Sequence, residues 1–555
     1  MSVHGFARTR FIVVLATGAL LATACVQAAP TGGGGASQAP EGPVQPKVNR
    51  VILALDAPST ESNNARFVCC TWSYPLRPIY ENLIGMDAAT GKYIPQLASS
   101  WSVEPDGKAV RFKLRPGVPY HDPKWSAVTA KDVVHAYRHP MMFEDSHAQV
   151  AWWKRTITGE EIVNDLELVV RLNPDALFFN SIGENYGQAW VRPKAEFDAI
   201  GDIKDPAPPY TGTGPYKYLE RQTGQYIRFQ RVENHWRVTP DFPQLEMRWV
   251  KEASTRLAAL LTGEIQITKV SDDQLPQAQS AGMTVVTNTV PGTRVMGGFI
   301  YQNWKADRGL YLIGDSPLAD SRVRQALNKA IDRQALTKAF VPRGQLMYAN
   351  HVPAGQPGYD PSWEKRFAEL YGYDVEKAKA LLASAGYGPA KPAKISIILG
   401  AIPPISNADD VAEAIAAQWK AVGVQVALLN MDAGAKSAAR AADKFDNHFS
   451  LTGTSTDPGQ GILVYNSLYG STATRGPMTA EVITSIRQQQ AELDPDKQGP
   501  LLQKILDWGY TNFWDVPLWW VPVEAVVNPK IVAGWVFPGT INGTYTHVEN
   551  IKAAR

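Results

Sequence analysis

The chain has 555 residues, a formal net charge of +2 and 19% charged residues, a balance that gives no electrostatic case for nucleic acid or an anionic surface as a partner. Three cysteines exclude a cystine framework, and the length exceeds what one small core serves, so two or three substructures are expected. The 16 Trp, 21 Tyr and 17 Phe suit a cleft that stacks on ligands, although most of those rings must be core.

Arg8 and Arg10 precede an apolar run from Phe11 to Ala24, too short to span a bilayer but long enough for a secretory h-region. It closes Leu21-Ala22-Thr23-Ala24-Cys25, which is similar to a bacterial lipobox with Cys25 as the lipidated residue. Ala22 departs from the usual Leu, Val or Ile, and an ordinary signal peptide cut near Ala28 or Ala29 is the alternative. Cleavage before Cys25, removing residues 1–24, leaves 555 − 24 = 531 residues. Residues 25–46 carry Gly32 to Gly35 and Pro40, Pro43 and Pro46, cannot bury a core, and read as a flexible tether. No Gly-Lys-Ser/Thr follows those glycines, so they are not a phosphate loop, and no later apolar run is long enough to cross a membrane.

Beyond the tether, Val51–Leu55 reads as a buried strand. Cys69-Cys70 can close only as a strained eight-membered ring, so two reduced, partly buried thiols are expected, with a vicinal disulfide as the alternative. Trp101 and Val103, then Val110, Phe112 and Leu114, alternate with polar neighbours around Asp106-Gly107, which predicts a hairpin. Thr129 and Asp132 have capping-box spacing and predict a helix. Tyr210-Thr-Gly-Thr-Gly-Pro-Tyr216 predicts a loop entering a strand. Asp320–Arg333 predicts one amphipathic helix with Val323, Ala326, Leu327, Ala330 and Ile331 on its apolar face. A second helix runs from Asp374 to its stop at Gly386. Strand 394–399, helix 411–422 and strand 424–429 follow, an alternation that argues for an α/β lobe.

Several of these markers occur in a telling order: Tyr80-Glu-Asn-Leu-Ile84, Asp87, Gly91, Pro95–Trp101, Asp106-Gly107-Lys108, Phe112–Val118, His121-Asp122 and Thr129–Val133. On these the chain resembles the extracytoplasmic solute-binding proteins of peptide/nickel-type ABC importers, bacterial solute-binding protein family 5. The Gly-Thr-Gly-Pro-Tyr turn and the Gly263-Glu264 helix end extend the resemblance over roughly residues 48–538; Val232-Glu233 stands where the family has Asn-Pro. It implies an α/β, two-lobed periplasmic-binding-protein-like (type II) fold with an extra subdomain inserted in the first lobe. The boundaries implied are 47–80, 210–290 and 520–555 for lobe I, 81–209 for the inserted subdomain and 291–519 for lobe II.

The family resemblance also places the ligand site in loops at the lobe junction: Cys69, Cys70, Trp72 and Tyr74 after the first strand, Tyr301, Asn303 and Trp304 after a crossover marked by Gly297-Gly298, and Thr454, Asp457 and Tyr465 in a third loop. Core packing is the alternative for each aromatic. Peptide-binding relatives carry Trp-x-x-Asp in that third loop, where the aspartate pairs with the peptide's α-ammonium; the matching positions here are Leu451 and Thr454. Free N-terminal peptides are therefore expected to be poor ligands.

The implied protein is not an enzyme, carries no cofactor, acts as a monomer, and has a small-molecule or peptide-like solute, ABC permease subunits and the membrane as partners. It would sit on the outer face of the cytoplasmic membrane or in the periplasm. Gly314-Asp-Ser-Pro-Leu318 fails as a nucleophile elbow, and no His-Glu-x-x-His occurs. His135 and His139 have metal-ligand spacing on a helix, but two solvated histidines ended at once by Pro140 are the plainer expectation. A secreted two-lobed enzyme, and a receptor or chaperone on the same fold, are the competing readings.

Overall fold

The structure is a computed structural model. It describes residues 45–58, 60–68, 73–147, 149–184, 188–205, 207–291, 293–300, 302–305, 310–313, 316–348, 352–400, 405, 407–431, 435, 447–455, 480–539 and 545–555.

Three sheets organise the chain, each with its own core. The first has seven strands, in sheet order Thr284–Thr287, Glu524–Val527, Ile267–Thr268, Arg50–Leu55, Gln244–Trp249, Tyr226–Arg231 and Tyr216–Gln222. Its central strand Arg50–Leu55 is parallel to both neighbours, which leaves it covered on both faces. Val51, Leu53 and Leu55 pack with Phe229, Leu245 and Met247, while Ala54 meets Leu257 and Leu260 of helix Ala253–Thr262 on the other side.

The second sheet has four strands, Ala98–Val103, Ala109–Leu114, Glu167–Leu172 and Ile157–Asn164. Its first hairpin turns at Asp106-Gly107, where Gly107 has φ 66°. Val110, Phe112 and Leu114 pack against Val133, Ala136 and Tyr137 of helix Ala130–Met141, whose start is fixed by the Thr129 amide donating to Asp132 Oδ2 at 2.8 Å. Pro140 lies inside that helix, one residue before its end.

The third sheet has six strands, Gln345–Leu346, Asp515–Val521, Thr293–Ile300, His448–Ser455, Lys394–Leu399 and Gln425–Asn430. Helices Ser321–Lys329, Val375–Ser384 and Ala408–Ala421 cover one face. Gly297 lets the central strand approach its neighbour, because a Cβ there would meet the Phe449 ring at 2.1 Å. The helix expected over Asp320–Arg333 is in fact two. It stops at Lys329, and Asp332 caps a new helix, Arg333–Phe340, by accepting from the Ala335 amide at 2.9 Å. Ala330 and Ile331 remain buried with the apolar face although they lie in the break.

The Tyr210–Tyr216 loop packs against the chain at Pro78-Ile79. Cβ atoms at Gly212 and Gly214 would meet the carbonyl oxygens of Ile79 and Pro78 at 2.0 and 2.4 Å, so only glycine permits the approach. The Gly214 and Tyr216 amides donate to those same two carbonyls at 2.8 and 3.1 Å.

Candidate functional site

The first and third sheets are joined by two chain crossings. One leaves strand Thr284–Thr287 for Thr293–Ile300, and the other returns from Asp515–Val521 to Glu524–Val527. The crossings bond to each other: the Asn288 amide donates to the Val523 carbonyl at 2.9 Å, and the Val523 amide donates to Asn288 Oδ1 at 2.8 Å. Arg343 of the third sheet's body also reaches Glu524 at 2.5 Å and pairs with Asp272, both in the first sheet's body. A paired crossing of this kind has the geometry from which hinges are built, a few residues between packed bodies.

Of the residues expected at the site, Cys69, Cys70, Trp72, Tyr301, Asp457 and Tyr465 lie outside the described residues, as does Cys25. The chain on either side of residues 69–72 is firmly held. Ser62 Oγ and the Asn63 amide donate to Asp205 at 2.6 and 2.7 Å, Asn64 Nδ2 donates to Asp202 at 2.8 Å, and the Leu76 amide donates to the Ser73 carbonyl at 3.1 Å. Tyr74 is buried in the first core, its ring edge-on to Trp249 at 5.9 Å and its hydroxyl donating to the Asp56 carbonyl at 2.9 Å. Asn303 and Trp304 stand in a short strand, Gln302–Lys305, opposite Leu312 and Tyr311. Thr454 stands opposite Arg294, a fully buried residue of the central strand, whereas Leu451 is buried in the helix-covered core.

Among the described residues a crevice of about 1170 Å³ separates the second sheet's body from the third's. Tyr93, Trp101 and Phe179 line one wall, and Val352, Pro353 and Leu502 the other. A clasp closes it. Leu493, between helices Ala480–Ala491 and Pro495–Thr511, is 1% exposed and sits in the second sheet's core. The Ala176 amide donates to the Gln490 carbonyl at 2.9 Å, and Gln498 Nε2 donates to the Ala176 carbonyl at 3.2 Å. Neither Asn288 nor Leu493 carries a sequence signal beyond a polar residue between strands and one leucine among acids.

The candidate catalytic and metal residues take structural roles. His121 Nε2 is 2.8 Å from the Gly214 carbonyl and so carries the ring proton; burial lowers its pKa to about 4, keeping it a neutral donor. His135 and His139 are not solvated as expected: they are 7% and 0% exposed, with rings 5.1 Å apart and Phe197 against both. Burial lowers their pKa values to about 3 and about 2. No group of three or more His, Cys, Asp or Glu that could hold a metal occurs among the described residues.

Two sheet-centred lobes on a paired crossing, with a further body built into the first, define a two-lobed binding protein of the periplasmic type. The solved structure of HbpA2 from Haemophilus parasuis shares this fold with a TM-score of 0.75 at 19% identity, covering 91% of this chain and 100% of that one. The ABC transporter substrate binding protein CtaP from Listeria monocytogenes does so with a TM-score of 0.72 at 18% identity, covering 91% and 99%. The "Dipeptide-binding protein" of Escherichia coli (strain K12) is 28% identical over 379 residues, 64% of this chain and 67% of that protein. The family model for bacterial extracellular solute-binding proteins, family 5 Middle, matches residues 92–476, and the chain belongs to that family.

Proposed function

We propose that the protein captures a small solute between its two lobes outside the cytoplasm and hands it, chemically unchanged, to the permease of a peptide/nickel-type ABC importer. The observation that carries this is the paired crossing at Asn288 and Val523, which lets one lobe swing against the other and exclude water from the ligand. Lobe I comprises 47–80, 210–290 and 520–555, the inserted subdomain 81–209 and lobe II 291–519. The solute is held by the segments at residues 69–74, 301–304 and 454–465.

Free N-terminal peptides bind poorly on this reading. Thr454 cannot neutralise an α-ammonium, and the residue facing it across the strand pair is an arginine. An ammonium left unpaired in a closed cleft costs several kcal/mol. Calorimetry with an unblocked tripeptide is expected to show no micromolar binding; tight binding abolished by Asp457→Ala overturns this part. The mature chain is a monomer tethered through a lipid on Cys25, which Cys25→Ser should release from detergent-phase partitioning. Native mass spectrometry of protein purified from its own host tests the main reading. A co-purifying small molecule released with unchanged mass supports it, and a molecule that emerges altered returns the enzyme reading.

A further inference from the structure

Six arginines are buried among the described residues, and five of them are accounted for. Arg66 pairs with Asp202 at 2.9 Å and with Asp145. Arg256 meets Asp56 at 2.9 Å and three carbonyls. Every guanidinium nitrogen of Arg324 and Arg333 donates to a carbonyl or amide oxygen between 2.7 and 3.1 Å. Arg294 is also partnered. Arg66, Arg256, Arg324 and Arg333 are thus held by formal negative charge or by carbonyl and amide oxygens.

Arg192 has neither. It is 1% exposed, yet its nearest polar contact is Nη2 to His139 Nδ1 at 3.4 Å, and its guanidinium lies 5.4 Å above the Tyr210 ring. Nε and Nη1 have no hydrogen-bond partner. The acids around it are engaged elsewhere: Asp202 with Arg66 and Asn64, and Glu196 with the Thr211 amide and hydroxyl at 2.8 and 3.2 Å. His147, 7% exposed, is within electrostatic reach of Arg192, and both of its ring nitrogens are also unpartnered. Burial, then the Arg192 charge, lowers the pKa of His147 to about 4, so a neutral ring offers one N–H. Three orphaned donors and one buried positive charge that no carboxylate contacts converge on the same chemistry. Water satisfies donors but adds no charge, and a buried charge with no counter-charge in contact is unfavourable.

We propose that Arg192, with His147, holds a small inorganic monoanion such as chloride inside the inserted subdomain. The site lies behind the turn that leads to residues 69–72, because the His147 amide donates to the Arg66 carbonyl at 3.0 Å. The anion braces that turn rather than contacting the solute.

Crystals grown without halide and transferred to bromide test this by anomalous scattering at the bromine edge. A peak in hydrogen-bond reach of Arg192 Nε or Nη1 is expected; its absence, with bromide bound elsewhere on the molecule, overturns the proposal. In parallel, replacing gluconate by chloride at constant ionic strength should raise the melting temperature by about 2–5 °C. Arg192→Met should abolish that rise, and equal responses of variant and wild type also overturn the proposal. Should Arg192→Met fail to fold, the bromide map of the wild-type protein decides alone.

Discussion

The inserted subdomain is fastened to its two neighbours by different chemistry. Toward the first lobe the joint is ionic and buried. Glu81, 1% exposed, accepts from Trp236 Nε1 at 2.8 Å and Arg237 Nε at 3.0 Å, and Arg237 Nη2 meets Glu549 at 3.1 Å. Nearby, Glu184 accepts from the Met86 amide at 3.0 Å, and His547 Nε2 lies 3.0 Å from the Met86 carbonyl. Toward the second lobe the clasp among the described residues includes a buried leucine and neutral hydrogen bonds, one of them from Gln356 Nε2 to the Thr90 carbonyl at 3.2 Å. Separating buried charges is far costlier than parting neutral groups that water can take over. On this contrast the inserted subdomain is expected to travel with the first lobe, and the second lobe to be the one that lets go.

The severest way to break this contrast is Arg237→Ala, which strands Glu81 and Glu549 in the interior. A loss of about 3–5 kcal/mol is expected from denaturant unfolding. A loss below 1 kcal/mol would put both joints in one class. Leu493→Ala should weaken the clasp by about 2–3 kcal/mol. It reads out as faster hydrogen exchange at the Ala176 amide and a larger radius of gyration; unchanged scattering would mean the second lobe is not held there.

Acid–base behaviour sharpens the ionic side. Burial raises the Glu81 pKa to about 7, against the opposing pull of Arg237, while Glu549 beside the same arginine is held below its usual range. Because the folded pKa of Glu81 exceeds its unfolded value, its contribution is fully present below about pH 4.5 and is lost as pH rises toward 7. Glu549 acts oppositely, adding stability above its unfolded pKa. Glu81→Gln should thus gain on wild type by about 1–2 kcal/mol between pH 5 and pH 8; parallel stability curves would show that Glu81 is ionised throughout. The smallest effect is at the hinge. Asn288→Ala loses the bond to the Val523 amide, about 1 kcal/mol, and should broaden the inter-lobe distance distribution between two spin labels.

Local chemistry was legible where it is self-contained. Asp106-Gly107 turns a hairpin because Gly107 adopts positive φ, and Asp374 starts its helix by capping the Lys377 amide. Gly212 and Gly214 were legible as a marker but not as a reason, since the reason is the carbonyls of Pro78 and Ile79, more than 130 residues earlier. Periodicity carried Ala330 and Ile331 into one helix because they share its buried face; the cap at Asp332 is what divides it. The histidines at 135 and 139 misled for a related reason. Their spacing fixes a common face but not what covers it, and Phe197 and Tyr210 cover it. Of the candidate site, the described part is Tyr74 and the strand positions of Asn303, Trp304 and Thr454; the crossing at Asn288 and the plug at Leu493 depend wholly on tertiary neighbours.

Thr293 and Val521 are register partners, so the second lobe begins and ends side by side on adjacent strands. Everything between them is, in effect, a cassette whose two ends enter the frame through a single doorway. Recombination could swap that cassette for another, and so alter half of the surface offered to a cargo, while the rest of the molecule kept its shape.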